Sequence, residues 1–177
     1  DMVGANQGQD VLRVQNITRV PWTRAHFLDE VAAATIDFLV AANGAQLASR
    51  QVPVPPRWRP APIVAHLGSR HRFAAALIPF HNSTDHMTFT EAPIGLPAIT
   101  FTNWPDNYIH TTDDDLWNIE RTQLERNAGA VAMMTVFLAR AGDADAPALV
   151  GATTGRGMER VAEAYRLAAS WLLGADS

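Results

Sequence analysis

Hydrophobic positions repeat at two different intervals along the chain, which predicts strands and helices in alternation rather than a helical bundle. Val11 to Val20 alternates loosely, with Val14 and Ile17 among polar neighbours, and predicts a strand. A helix should follow, capped by Thr23, with Phe27, Leu28, Val31, Ala34, Phe38, Leu39 and Ala42 at steps of three and four and Asn43-Gly44 as its stop. Residues 50–62 hold five prolines, which remove backbone donors and favour extended conformation, so this stretch reads as a stiff connector. Arg72 to Phe80 and Leu96 to Trp104 are short continuous apolar runs, as expected of neighbouring buried strands. Two amphipathic helices close the pattern. One runs from about Arg121 to Arg140 with Leu124, Ala128, Val131, Thr135 and Leu138 on its inner face. The other covers 157–173 with Met158, Val161, Tyr165 and Leu172 inward, and the stretch between the two is expected to be loop.

The fold class that follows is α/β, a mixed sheet flanked by helices. The chain is 177 residues long with 47% hydrophobic content, enough for one domain with a core of its own. The formal charge is −4 and the 14 basic residues are all arginine, scattered along the sequence. They form no stripe for neutralising phosphates, so nucleic acid is not expected as a partner. No apolar run is long enough to span a bilayer, and the opening residues show no charged-then-apolar secretion pattern. Membrane is likewise not expected as a partner, and compartment is left open. Cysteine is absent, which excludes disulfide and thiolate chemistry.

Both apolar runs lead into polar loops. The first enters the stretch holding Asp85 and His86, and the second enters "PDNYIHTTDDD" with His110 and Asp113. Histidines and aspartates are therefore expected to gather where strands end, the usual place for ligands in α/β sheets. A neutral imidazole can bind zinc through one nitrogen while the other donates to a carboxylate or carbonyl, and Asp113 is near enough in sequence to be that acceptor. The competing reading is a solvated loop histidine, followed by carboxylates that complement a helix start. His26, His66, His71 and His81 read as surface or hydrogen-bonded residues.

Several stretches, in order, resemble the M28 family of zinc-dependent exopeptidases. "DMVG" at residues 1–4 is similar to the end of the strand carrying an aspartate ligand, and "STDHMTF" to a Ser-Asp-His segment followed by phenylalanine. Ile94 to Glu120 resembles the last core strand, final histidine ligand and helix entry, and is the most specific part of the match. The resemblance implies a three-layer zinc-exopeptidase-like sandwich, a peptide substrate and a site with two zinc ions. It implies Asp1 and His110 as metal ligands, and Asp85, His86, Tyr108 and Asp113 as supporting or substrate-pocket residues. Two departures stand out. Ser83-Thr84 stand where glycine-serine is common before Asp-His, and Ile109 precedes the histidine where several members have an oxyanion-stabilising tyrosine. Tyr108 lies one step earlier, and neighbours in an extended segment point to opposite faces.

The family's bridging aspartate, another histidine and a Glu-Glu pair that supplies the general base have no counterpart here. The expectation is therefore residues 1–177 as the C-terminal portion of an M28-like domain, inactive alone and weak or empty for zinc. Asp1 should fray, and an incomplete sheet should expose an edge that supports self-association. Two alternatives stay open: a non-catalytic M28-like binding or structural domain, and a glutaminyl cyclase-like enzyme.

Overall fold

The computed structural model describes residues 1–9, 13–48, 61–82 and 84–174. It is mixed α/β, and among the described residues there are three strands and four α-helices. These are β1 (Val14–Thr18), α1 (Leu28–Ala48), β2 (Ala75–Ile78), α2 (His86–Thr90), β3 (Phe101–Trp104), α3 (Arg121–Arg140) and α4 (Ala146–Gly174). Most of the proline-rich stretch 50–62 lies outside the described residues. The chain divides into two compact units, Asp1–Ala139 and Arg140–Ser177.

The sheet has the order β2-β1-β3, with β1 parallel to β2 and antiparallel to β3. The two short apolar runs are thus not neighbours as their sequences suggested: β1 lies between them and β2 is a half-exposed edge strand. Since β2 and β3 run in opposite directions, their carboxyl ends also lie at opposite ends of the sheet, and the loops after them are not brought together by strand direction alone. Gln15 pairs with Asn103 and Asn16 with Thr102, so alternation puts Gln15 and Asn103 on one face, Asn16 and Thr102 on the other.

The first face is where the hydrophobic pattern misleads. Gln15 is fully buried. Its Oε1 accepts from Asn103 Nδ2 at 2.9 Å, Gln123 Nε2 at 2.8 Å and Asn127 Nδ2 at 2.7 Å, and its own Nε2 donates to the Thr102 carbonyl at 3.0 Å. Because the sheet presents amides here, α3 turns a largely polar face inward: Thr122, Gln123, Arg126, Asn127, Ala130 and Met134 are buried. Leu124, Val131 and Leu138, expected inside, are exposed. Leu124 and Val131 instead line, with Val3, Ile99 and Phe101, an apolar groove of about 880 Å³.

The start of α3 is fixed by a carboxylate. Glu120 accepts from the amides of Thr122, Gln123 and Ser69 at 3.1, 2.9 and 2.7 Å, satisfying amides at the helix start. Burial pushes the Glu120 carboxyl up, but these hydrogen bonds outweigh it and hold it below the ordinary range. Gly68 is needed at this junction, because a Cβ there would run into Thr122 Oγ1.

The helix ends differ from the sequence reading for local reasons. Thr23 lies in a short 3₁₀ turn, Trp22–Arg24, and Ala25 is extended, so α1 begins only at Leu28, whose amide donates to His26 Nδ1 at 3.1 Å. Asn43 does not stop α1: its side chain binds the Phe73 amide at 2.8 Å and the His71 carbonyl at 3.2 Å, and the helix continues to Ala48. Val31, Leu39 and Ala42 are buried as expected, but Ala34 and Phe38 are exposed and Ala32, Ile36 and Asn43 are buried beside them, so part of the packing stripe is shifted. In the second unit α4 starts at Ala146 rather than 157, after a turn closed by Asp145 Oδ2 accepting from the Gly142 amide at 3.0 Å. Pro147 is harmless in a first turn, where its missing donor has no intrahelical partner. Met158, Val161, Tyr165 and Leu172 are exposed.

Gln15→Leu preserves volume but strands three buried amide donors, each costing about 1–3 kcal/mol. We expect it to lower unfolding free energy in urea by about 3–5 kcal/mol.

Candidate functional site

The segment before β1 is tied down more firmly than a loose terminus. Asn103 Nδ2 donates to the Met2 carbonyl at 2.9 Å, Asn127 Nδ2 to the Val3 carbonyl, and the Glu120 amide to the Gly4 carbonyl at 2.8 Å. Ala5 makes an isolated antiparallel bridge to Ile119, and Gln7 exchanges hydrogen bonds with the backbone of Ala74 at 2.8 and 3.1 Å. Expected fraying is therefore opposed by amides of the sheet and α3 from Met2 onward, although "DMVG" itself is not in a regular strand.

On the sheet face bearing Asn16 and Thr102 lies a cavity of about 500 Å³. Asp1 and His110 both line it. Asn16, Thr102 and Ile78 form its floor, Met2, Trp104 and Ile109 add apolar wall, and His81 and Thr84 lie on it from the loop after β2. The cavity lies against the sheet face rather than at one end of the strands, which is how it takes residues from loops at opposite ends of β2 and β3.

His110 sits at the third position of a turn in which the Tyr108 carbonyl accepts from the Thr111 amide at 3.0 Å and from Thr111 Oγ1 at 2.6 Å. Its φ is 62°, in the left-handed region, where turns with only the third residue at positive φ favour glycine. Histidine is among the non-glycine residues that tolerate this region, yet the conformation is uncommon and has to be held by its surroundings. Asp113 does not support the ring: among the described residues no hydrogen bond joins it to His110, and its amide donates instead to Thr111 Oγ1 at 3.2 Å. Asp115 accepts from the Leu116 amide at 2.6 Å and caps the short turn that follows.

The other expected site residues separate. Tyr108 is absent from the cavity wall, which Ile109 occupies. Its ring meets Trp117 edge-on at 5.0 Å and lies under the Arg13 guanidinium at 5.1 Å. Asp85 is exposed at the start of α2 and does not line the cavity. His86 is buried behind it, its Nδ1 2.8 Å from Thr84 Oγ1 and its ring near those of Phe80 and His81. Its Nε2 is buried with no hydrogen-bond partner among the described residues. Desolvation dominates and holds the imidazole below its ordinary pKa, with the neighbouring His81 adding in the same direction and a His81 hydrogen bond opposing. His81 and Thr84 are the cavity residues that sequence reasoning passed over. Their signal was position after a strand end, weakened because several histidines cluster there.

Imidazole and carboxylate are both zinc-ligand groups, but a zinc centre needs about three protein ligands. Among the described residues no three histidines, cysteines or acids are grouped to hold a metal. Asp1 and His110 suit zinc chemically without completing a site.

The mixed α/β arrangement with a three-strand mixed sheet is consistent with part of an α/β peptidase-like domain. The sequence profile of peptidase family M28 matches residues 59–135, covering β2, α2, β3, the His110 loop and most of α3. That match supports an M28-family peptidase domain in this chain. No curated protein and no solved structure matches it.

The depressed pKa of His86 gives a pH prediction. Between its folded value and about 6.5 the unfolded chain binds the proton and the folded one does not, so this contribution is complete above about 6.5 and is lost as pH falls through that window. His86→Gln should flatten the dependence. Urea midpoints of both proteins from pH 7.5 to 5 measure it.

Proposed function

We propose that this chain is part of a zinc-dependent aminopeptidase that removes N-terminal residues from peptides at a two-zinc site, with Asp1 as a ligand to one ion and His110 to the other. The observation that carries the reading is their position in one cavity, although they come from separate segments and the match to the family does not include Asp1. Zinc, when bound, supplies a polarised substrate carbonyl and a water acidified enough to attack it. The chain's own residues present one carboxylate and one imidazole, hold the imidazole by a closed turn, and give the cavity an apolar wall of Trp104, Ile109, Ile78 and Met2. Asn16 and Thr102 offer polar groups at the floor for a peptide backbone.

The remaining ligands and the general base belong, in this reading, to the complete protein, and the 177-residue segment alone has no turnover. The rival reading is a metal-free binding module. It draws on the shortage of ligands among the described residues, and the same experiment separates the two.

His110→Asn is the informative substitution, since asparagine tolerates a left-handed backbone while the imidazole is removed. In the complete protein it should lower kcat/KM for an aminoacyl anilide by more than the roughly 10–100-fold typical of a lost supporting contact, with reduced zinc content and unchanged circular dichroism. A variant with near wild-type turnover and zinc would return His110 to an ordinary loop residue.

A further inference from the structure

We propose that Arg13 is a positioning residue for His110, acting through Asp106; as a statement about metal binding this rests on the function proposed above. Arg13 is 1% exposed, and a guanidinium does not shed its charge when buried, so it must be compensated where it sits. Its Nη2 donates to Asp106 Oδ1 at 3.2 Å. Its Nη1 donates to Asn118 Oδ1 at 2.6 Å and, more weakly, to the Asn6 carbonyl at 3.5 Å. Its face covers the Tyr108 ring. One side chain thus joins the segment that begins with Asp1, the loop that carries His110 and the approach to α3.

The link to His110 is short and specific. The same oxygen, Asp106 Oδ1, also accepts from the amides of Tyr108 at 2.8 Å and Ile109 at 3.3 Å, the two residues immediately before the histidine. Arg13 therefore fixes the oxygen that fixes the amides leading into a residue at φ 62°, a conformation that persists only where the surroundings over-determine it. On the other side the turn is closed by Thr111. A general packing role would not require the guanidinium to converge on the acceptor of these two amides.

Arg13→Lys keeps the charge and loses the planar fork; Asp106→Asn keeps an acceptor and loses the charge. In amide hydrogen exchange on the full chain, we expect each to speed exchange at Tyr108 and Ile109 by at least tenfold relative to amides of α1, with thermal midpoint as the fold control. In the complete protein, zinc affinity by chelator competition should fall about 10–100-fold, the range for lost support of a ligand, and that loss should vanish in a His110→Asn background. Unchanged protection at the two amides, or an equal loss of zinc affinity without the histidine, overturns the proposal. Should Arg13→Lys fail to fold, Asp106→Asn decides by the same two readouts. A wild-type protein that binds no zinc overturns the metallopeptidase reading alone, while amide exchange still decides the clamp.

Discussion

The first unit is organised around a single carboxamide. Gln15 sits in the central strand, and its oxygen takes donors from the antiparallel neighbour and from two positions of α3, while its nitrogen returns to the β3 backbone. Asn103 and Asn127 continue outward from it to the Met2 and Val3 carbonyls. Buried amides are tolerable only when their partners are supplied, and this dependence is directional. An apolar contact here would let α3 slide or rotate on the sheet; the network admits few registers. It thereby sets both where the Asp1 segment runs and which face of α3 stays outside.

That constraint explains which parts of the sequence were legible. The bounds of α3 were readable because twenty residues of helical pattern run from Arg121 to Arg140, but its inward face was not. The rule that apolar positions face the core presumes an apolar sheet, and Gln15 and Asn103 break the presumption. The extent of α4 was missed because "APALVGATTG" reads as loop by composition, whereas Asp145 and a first-turn proline suit a helix start. Strand order was out of reach for a different reason: nothing in two apolar runs tells whether a third segment lies between them.

The candidate site shows the same division. His110 was proposed because it lies in the most specific stretch of family likeness, and Asp1 because that likeness implies a ligand there. Asp113 was proposed as support on proximity in sequence, and Tyr108 and Asp85 through the family likeness; none of the three lines the cavity. The support found instead is Arg13, distant in sequence and invisible to any local motif, because a residue before a strand carries no mark of the loop it will meet. His81 and Thr84 enter the cavity through tertiary placement of a loop whose own sequence is unremarkable in this respect.

The arrangement around Arg13 also bears on modularity. The stretch from Asn103 to Asp115 looks self-contained, with a closed turn and a capped exit, and could be taken as a cassette for moving a histidine onto another scaffold. It is not one. Asp106 holds the turn amides with an oxygen shared with a guanidinium from before β1, and that guanidinium is itself held by Asn118 beyond the cassette's far end. Moved alone, the loop would arrive with a carboxylate lacking its counter-charge and a left-handed residue lacking its restraint. The smallest transferable unit is three discontinuous pieces of chain, and a substitution in this loop acts on partners that lie outside it.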